Sequence, residues 1–304
     1  MSDPLFPQIP GAPQMVDHDV AALVAPNPSP MTFRGTNTYV IGQKEVAIID
    51  PGPAMGLHLD AILKAVDGRR VTHILVTHSH LDHSPLAAAL AHETQAPVLA
   101  FGDSHAGRSD TMSDLRDAGY VGGGEGMDWD FAPDTTLADG QVMDVAGKPL
   151  TAIHTPGHIG NHLCFAWGDV IFSGDHVMAW ATSLVSPPDG DMSDFLNSCD
   201  RLAAHPARTY FPGHGDPVHD PAHRLQTLIS HRKGREAQIL NALRAAPATI
   251  AELTQTIYAD VSPALFPAAA RNVFAHLIDL HGRAIVDAVP ALSDDAVFRL
   301  RTLT

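Results

Sequence analysis

The chain has 304 residues, 45% of them apolar, enough to fill one large domain or a domain with a small companion. It carries 34 Asp and Glu against 19 Lys and Arg, a formal charge of −15, which disfavours long-range attraction to polyanions. No apolar run is long enough to span a membrane, and the start MSDPLFPQIPGAPQ has neither a basic nor an apolar leader region. A soluble, cytoplasmic protein is therefore expected, with the proline-rich start as an arm on the surface. Cys164 and Cys199 give no disulfide framework and fit a reducing compartment. Histidine is the outlier at 19 copies.

In chain order, TFRGTNTYVIG (32–42) and EVAIIDPGP (45–53) predict a hairpin leading into a buried strand. A helix follows over 56–67, then the strand VTHILVTH (71–78). Ser84 and Pro85 are placed as N-cap and first residue of the next helix. APVLAF (96–101) is a short buried strand, and 102–135 carries GGGEG (122–126), expected to be a flexible loop. Three strand-bearing stretches come next: KPLTAIHTPGH (148–158), HLCFAWGDVIFSGD (162–175) with a tight turn at Gly168-Asp169, and ARTYFPGHG (207–215). Between the last two, 191–205 reads as helix.

Asp220-Pro221 opens a long helix towards Ala245, and a domain boundary is placed near 230, where HRKGRE (231–236) separates two apolar patches. Thr249 and Glu252 have capping-box spacing for a second helix, and a third covers 263–281. AIVDAVP and AVFRLRTL make a terminal strand pair. Three helices and a hairpin give residues 231–304 a winged-helix-like pattern, after an α/β layered domain over 1–230. The acidity belongs to the first part: residues 231–304 hold 8 basic and 7 acidic groups, against 11 and 27 in the rest.

THSHLDHSP (77–85) concentrates ligand-type side chains at a strand end. His78, His80, Asp82 and His83 are donors for borderline-soft divalent ions. They stand at alternate and then consecutive positions, unlike two histidines one helical turn apart. An extended turn can direct His78 and His80 to one ion, and Asp82 and His83 to a neighbour. Four ligands are too few for two ions, and later strand ends offer His158, Asp175 and His214, each beside a glycine. Sites in α/β sheets gather at carboxyl strand ends, where all of these lie. Isolated histidines such as His18, His92, His105 and His205 are read as ordinary surface or core residues.

Taken in order, TH-x-H-x-DH, TPGH, SGD and PGH resemble the metallo-beta-lactamase superfamily of αββα metallohydrolases, across about 16–219. RGTNTYVIG, IIDPGP, GDHVMAWATSLVSPPDGDM and HRKGREAQIL are similar to the beta-lactamase-like protein 2 family, which appends a winged-helix-like tail. Pro85 and Leu86 stand where family members often have glycine. The resemblance implies one zinc on His78, His80 and His158, a second on Asp82, His83 and His214, and Asp175 bridging both. It also implies Asp50 as a support behind the ligands; the alternative is a simple turn-former in DPGP. Iron or manganese would fit the same donors.

Two ions roughly 4 Å apart can share one water and deliver hydroxide, with Asp82 orienting it and passing on its proton. His162 and His176 are further candidates for support or substrate contact, against a reading as core histidines. The expected function is a binuclear zinc-dependent hydrolase using a metal-bridging hydroxide on an ester, thioester or related small substrate. The family of resemblance also includes single-stranded-RNA endoribonucleases, and Arg232, Lys233 and Arg235 form a basic cluster suited to phosphates. Aromatic content of only 6% offers no stacking platform in the tail, which fits a dimerisation surface or lid equally well. Hydrolysis of beta-lactams or lactones and a non-enzymatic, metal-binding nucleic-acid regulator complete the alternatives. True lactamases usually lack the bridging aspartate, and a mere regulator would not require Asp82.

Overall fold

The computed structural model describes residue 6, residues 9–123 and 126–259, residue 262 and residues 265–301. Most of the N-terminal arm, Gly124 and Glu125 of GGGEG, and the start of the third tail helix at 263–264 lie outside these residues.

Two sheets face each other. The first runs in chain order: β1 (Gln14–Asp17), β2 (Val20–Val24), β3 (Asn37–Ile41), β4 (Glu45–Ile49), β5 (Arg70–Leu75), β6 (Val98–Ala100) and β7 (Thr135–Thr136). Its first four strands are antiparallel, and from β4 onward the pairing is parallel. The second holds β8 (Val142–Val145), β9 (Lys148–His154), β10 (Leu163–Trp167), β11 (Val170–Gly174) and β12 (Thr209–Pro212), in the order β12-β11-β10-β9-β8. Gly168 and Asp169 make the two-residue turn between β10 and β11, with Gly168 at the positive φ that a tight hairpin requires. Because β12 pairs parallel to β11, the ends of β9, β11 and β12 reach the same edge.

The inner faces interdigitate through Tyr39, Phe165, Phe172 and Phe211, all at most 2% exposed. Each such aromatic contributes about 1.5–3 kcal/mol by leaving water. Phe6 packs into this same layer, 6.5 Å from Tyr39 between ring centres. Phe6 of the stretch expected as a surface arm is thus itself buried, at 1% exposure.

Helices α1 (Gly56–Val66) and α2 (Ala87–Thr94) cover the outer face of the first sheet through Ile62, Val66 and Leu90. α2 starts later than Ser84 and Pro85 predict: Leu86 occupies the N-cap position without a side-chain cap. The Ser84 hydroxyl is engaged elsewhere, donating to Asp128 Oδ2 at 2.6 Å. α3 (Asp110–Asp117), capped by Ser109, lies in the segment 102–135 ahead of GGGEG, where no helix was expected. α4 (Met192–Ala203) and α5 (Pro221–Ala245) cover the second sheet through Phe195, Leu202, Leu225 and Leu228, completing four layers.

α5 is continuous through residue 230 and serves both parts of the chain. Its later turns join α6 (Ile250–Ile257), α7 (Phe266–Gly282) and the sheet of β13 (Ala248–Thr249), β14 (Val286–Val289) and β15 (Val297–Leu300). Thr249 and Glu252 make the predicted capping box. This smaller core of Ile239, Leu253, Phe274 and Phe298 also takes in Met112 and Leu115 of α3. Two apolar residues in an otherwise polar helix gave no signal of that docking.

Candidate metal centre

All seven donors singled out in the sequence sit at carboxyl ends of strands: His78, His80, Asp82 and His83 after β5, His158 after β9, Asp175 after β11 and His214 after β12. They meet in three groups. His78, His80 and His158 form one, Asp82, His83 and His214 another, and His78, His83 and Asp175 a third, with ligand atoms in each within 4.8 Å of one another. His80 Nδ1 lies 3.0 Å from His78 Nε2 and 3.1 Å from His158 Nε2. His214 Nε2 lies 3.3 Å from His83 Nε2 and 3.1 Å from Asp82 Oδ2. Asp175 Oδ2 is 3.2 Å from His214 Nε2 and 3.7 Å from His158 Nε2, between the two sets.

On four of the rings the other nitrogen is held from behind, that of His78 by the Thr77 hydroxyl, 2.9 Å from Nδ1. His83 Nδ1 donates to Asp50 Oδ2 at 2.9 Å, His158 Nδ1 to the Leu184 carbonyl at 2.8 Å, and His214 Nδ1 to the Gly35 carbonyl at 3.2 Å. Such bonds fix tautomer and ring orientation, so that Nε2 faces the centre. Asp50 also accepts from the Thr77 amide and hydroxyl, both at 2.7 Å, and so ties β4 to the start of the histidine run. It adopts φ 51°, a left-handed conformation that aspartate tolerates better than most residues.

The remaining candidates divide. His162 Nε2 accepts from the Asp175 amide at 3.2 Å, and its Nδ1 lies 2.9 Å from the Thr155 hydroxyl. His176 turns away and packs its ring 4.6 Å from that of Phe195. Thr36 escaped the sequence reading, yet its hydroxyl donates to Asp82 Oδ2 at 3.0 Å. Thr36, Asn37 and Thr38 are three polar residues leading into an apolar strand, and the structure buries all three to at most 1% exposure. Asn37 donates to the carbonyls of Pro212 and Gly215 on either side of His214, both at 2.9 Å.

Charge is unevenly distributed. Burial, reinforced by neighbouring imidazoles, holds His78 well below its ordinary pKa and brings His80 down to about 3. Burial opposes charge on His214 too, but Asp175 and Asp82 outweigh it and raise its pKa to about 9. Burial would raise Asp82 and Asp175; adjacent His83 and His214 hold both well below the carboxylate range. Nitrogen lone pairs facing one another leave donors that protons alone cannot satisfy. Asp175 Oδ1 is buried with no hydrogen-bond partner among the described residues. This imidazole and carboxylate set suits divalent ions such as zinc. Glycine makes the crowding feasible: a Cβ on Gly213 would stand 2.3 Å from Asp175 Oδ1 and 2.6 Å from His83 Cε1.

A four-layer sandwich with this cluster at its strand ends defines a metal-dependent hydrolase. Residues 31–214 match the metallo-beta-lactamase superfamily and residues 249–290 the beta-lactamase associated winged helix domain. The chain belongs to the metallo-beta-lactamase superfamily. It is 30% identical over 275 residues to a beta-lactamase-like protein 2 homolog of Drosophila melanogaster, covering 86% of this chain and 87% of that one. An atrochrysone carboxyl ACP thioesterase of Aspergillus fumigatus is 30% identical over 233 residues, 74% of this chain and 65% of that protein. Among solved structures, a metallo-beta-lactamase family protein of Thermus thermophilus superposes with a TM-score of 0.73 at 25% identity, covering 93% and 99% of the two chains. A beta-lactamase domain protein from Burkholderia ambifaria gives 0.78 at 18% identity over 98% and 96%, a likeness of fold. No helix among the described residues is long and apolar enough to cross a membrane.

Proposed function

We propose that the protein is a binuclear metallohydrolase acting on a small ester or thioester, with zinc as the expected metal. The observation that carries this reading is Asp175, whose carboxylate stands between two complete donor sets. His78, His80 and His158 would hold one ion, Asp82, His83 and His214 the other, and Asp175 would bridge them. Divalent ions bound there supply Lewis-acid polarisation of the scissile carbonyl and activation of water for attack.

The chain's own groups do the rest. Asp82 is the one donor of the seven that is not buried: its side chain is 27% accessible, that of Asp175 9%. With Oδ2 oriented by Thr36, Asp82 is placed to take the proton of the attacking water and return it to the leaving thiol or alcohol. Asp50, His162 and the Leu184 and Gly35 carbonyls keep the donors aimed. His176 is assigned to packing.

The thioesterase name borne by a relative favours the thioester class. The basic cluster gives the RNA reading less support than its sequence suggests: Arg232 is 1% exposed and Arg235 half-buried, which leaves Lys233 as the one exposed member of the three. The test is hydrolysis of short acyl thioesters of N-acetylcysteamine by protein shown to contain two zinc ions per chain, beside a chelator-treated sample. Chelator-sensitive cleavage is expected. A fully loaded protein that cuts single-stranded RNA and no thioester would reverse the assignment.

A further inference from the structure

A cavity of about 410 Å³ opens beside His158 and Asp175 and runs from the metal cluster to the C-terminal unit. Much of its wall is apolar, with Met31, Met178, Leu184, Leu265 and Ala269 among its lining. The side formed by α5 is different, because Arg232 and Arg235 both line the cavity there.

Arg232 is buried to 1% exposure. Its guanidinium donates to Asn272 Oδ1 at 2.9 Å and to the Ser183 carbonyl, and lies 5.0 Å from the Phe195 ring centre. Arg235 donates to Gln238 Oε1 at 2.9 Å and the Ile257 carbonyl at 3.4 Å, 4.3 Å from the Tyr258 ring centre. All these partners are neutral, and Nε of each arginine is buried without a partner among the described residues. Burial lowers the pKa of Arg232 only to about 10, so it stays charged at neutral pH. Buried cations ordinarily find a counter-charge. Here Asp175 is the one carboxylate among the described lining residues, and it is committed to the histidines of the cluster. In a chain with 34 acidic and 19 basic residues, a cavity with two guanidinium groups and no anion beside them reverses the overall balance.

We infer that this cavity is the acyl pocket and that its substrate carries a carboxylate at the far end of the acyl chain, received by Arg235 and Arg232. This rests on the reading of the site as an ester or thioester hydrolase. The planar guanidinium matches a carboxylate through paired hydrogen bonds, and the apolar part of the lining accommodates methylene groups. Arg235 is half-buried and meets the carboxylate first; Arg232 lies deeper and also anchors the loop that carries Ser183.

The experiment compares kcat/KM of the zinc-loaded protein for the N-acetylcysteamine thioesters of adipate and hexanoate, which differ by the terminal carboxylate. The expected preference for the adipyl thioester is about tenfold or more, from a charge-assisted hydrogen bond in a desolvated pocket. Arg235→Gln should collapse that ratio towards one, and Arg235→Lys should restore part of it. Equal turnover of the two substrates by the wild type, or a preference that survives Arg235→Gln, overturns the inference while leaving the hydrolase intact. Free adipate should inhibit competitively and more strongly than hexyl phosphate; the reverse order overturns the choice of carboxylate. If neither thioester is cleaved, the hydrolase reading falls separately. Calorimetric titration of adipate into wild type and Arg235→Gln then decides the pocket, with equal affinities counting against it.

Discussion

Asp50 and His83, 33 residues apart, meet at 2.9 Å through Oδ2 and Nδ1 in the buried interior, and the same carboxylate holds the amide of Thr77. One side chain therefore aims a candidate ligand and fixes the segment that delivers the others. Asp50→Asn keeps the shape and an acceptor for Thr77 but loses the negative charge behind the imidazole. Metal affinity is expected to fall about 10–100-fold with the fold retained. Competition against a chelating dye measures it, and an unchanged affinity would show that Asp50 merely forms the turn.

Asp82→Asn and His158→Ala act on the centre itself. Each is expected to lower kcat by about 10²–10⁴-fold or more while circular dichroism stays that of the wild type. Turnover near the wild-type rate in either variant would remove the assigned site.

Gly213→Ala adds only one methyl group, but that carbon would press on Asp175 Oδ1 and His83 Cε1. Both neighbours belong to the cluster, so the strain cannot be relieved without moving a donor. Loss of at least one equivalent of bound metal is expected by elemental analysis. A variant holding the wild-type complement would show that the loop after β12 gives way freely.

Chelation should also destabilise the protein. A ligand that binds only the folded chain stabilises it by about 4 kcal/mol at a thousand times its dissociation constant. Thermal unfolding with and without chelator should therefore differ by several degrees, and coincident curves would mean that no ion was bound.

Away from the cluster, His276 in α7 is 2% exposed, and neither ring nitrogen has a partner among the described residues. Burial, with Arg232 nearby, brings its pKa down to about 3. The folded form thus resists protonation while the unfolded chain accepts a proton near pH 6.5. Stability from this residue is present above about pH 6.5 and is lost as the pH falls towards 3, by about 2 kcal/mol between pH 7 and pH 5. His276→Phe should remove that part of the acid sensitivity in urea unfolding at the two pH values. An identical pH dependence in the variant would refute it.

Much of this architecture was legible from local patterns. Short apolar strands, the Gly168-Asp169 turn and the Thr249–Glu252 capping box each follow from residues close in sequence. The donors were legible because imidazole and carboxylate groups rarely crowd at strand ends without a cation. What stayed hidden depends on distant partners. Ser84 has the chemistry of a cap, but Asp128 takes its hydroxyl. Arg232 reads as part of a surface cluster with Lys233 and Arg235, yet the helix turns it inward against Phe195 and Asn272. Thr36 escaped because a threonine reveals its partner only when β3 is laid beside the loop after β5.

Each of the three donor groups draws on both sheets, for His158, Asp175 and His214 come from one and His78, His80, Asp82 and His83 from the other. Neither sheet alone owns a complete set. A nascent chain with one sheet formed would have no full triad to offer an ion, so tight metal capture comes only when the two halves close. Full occupancy of the centre would then report that the two sheets have come together.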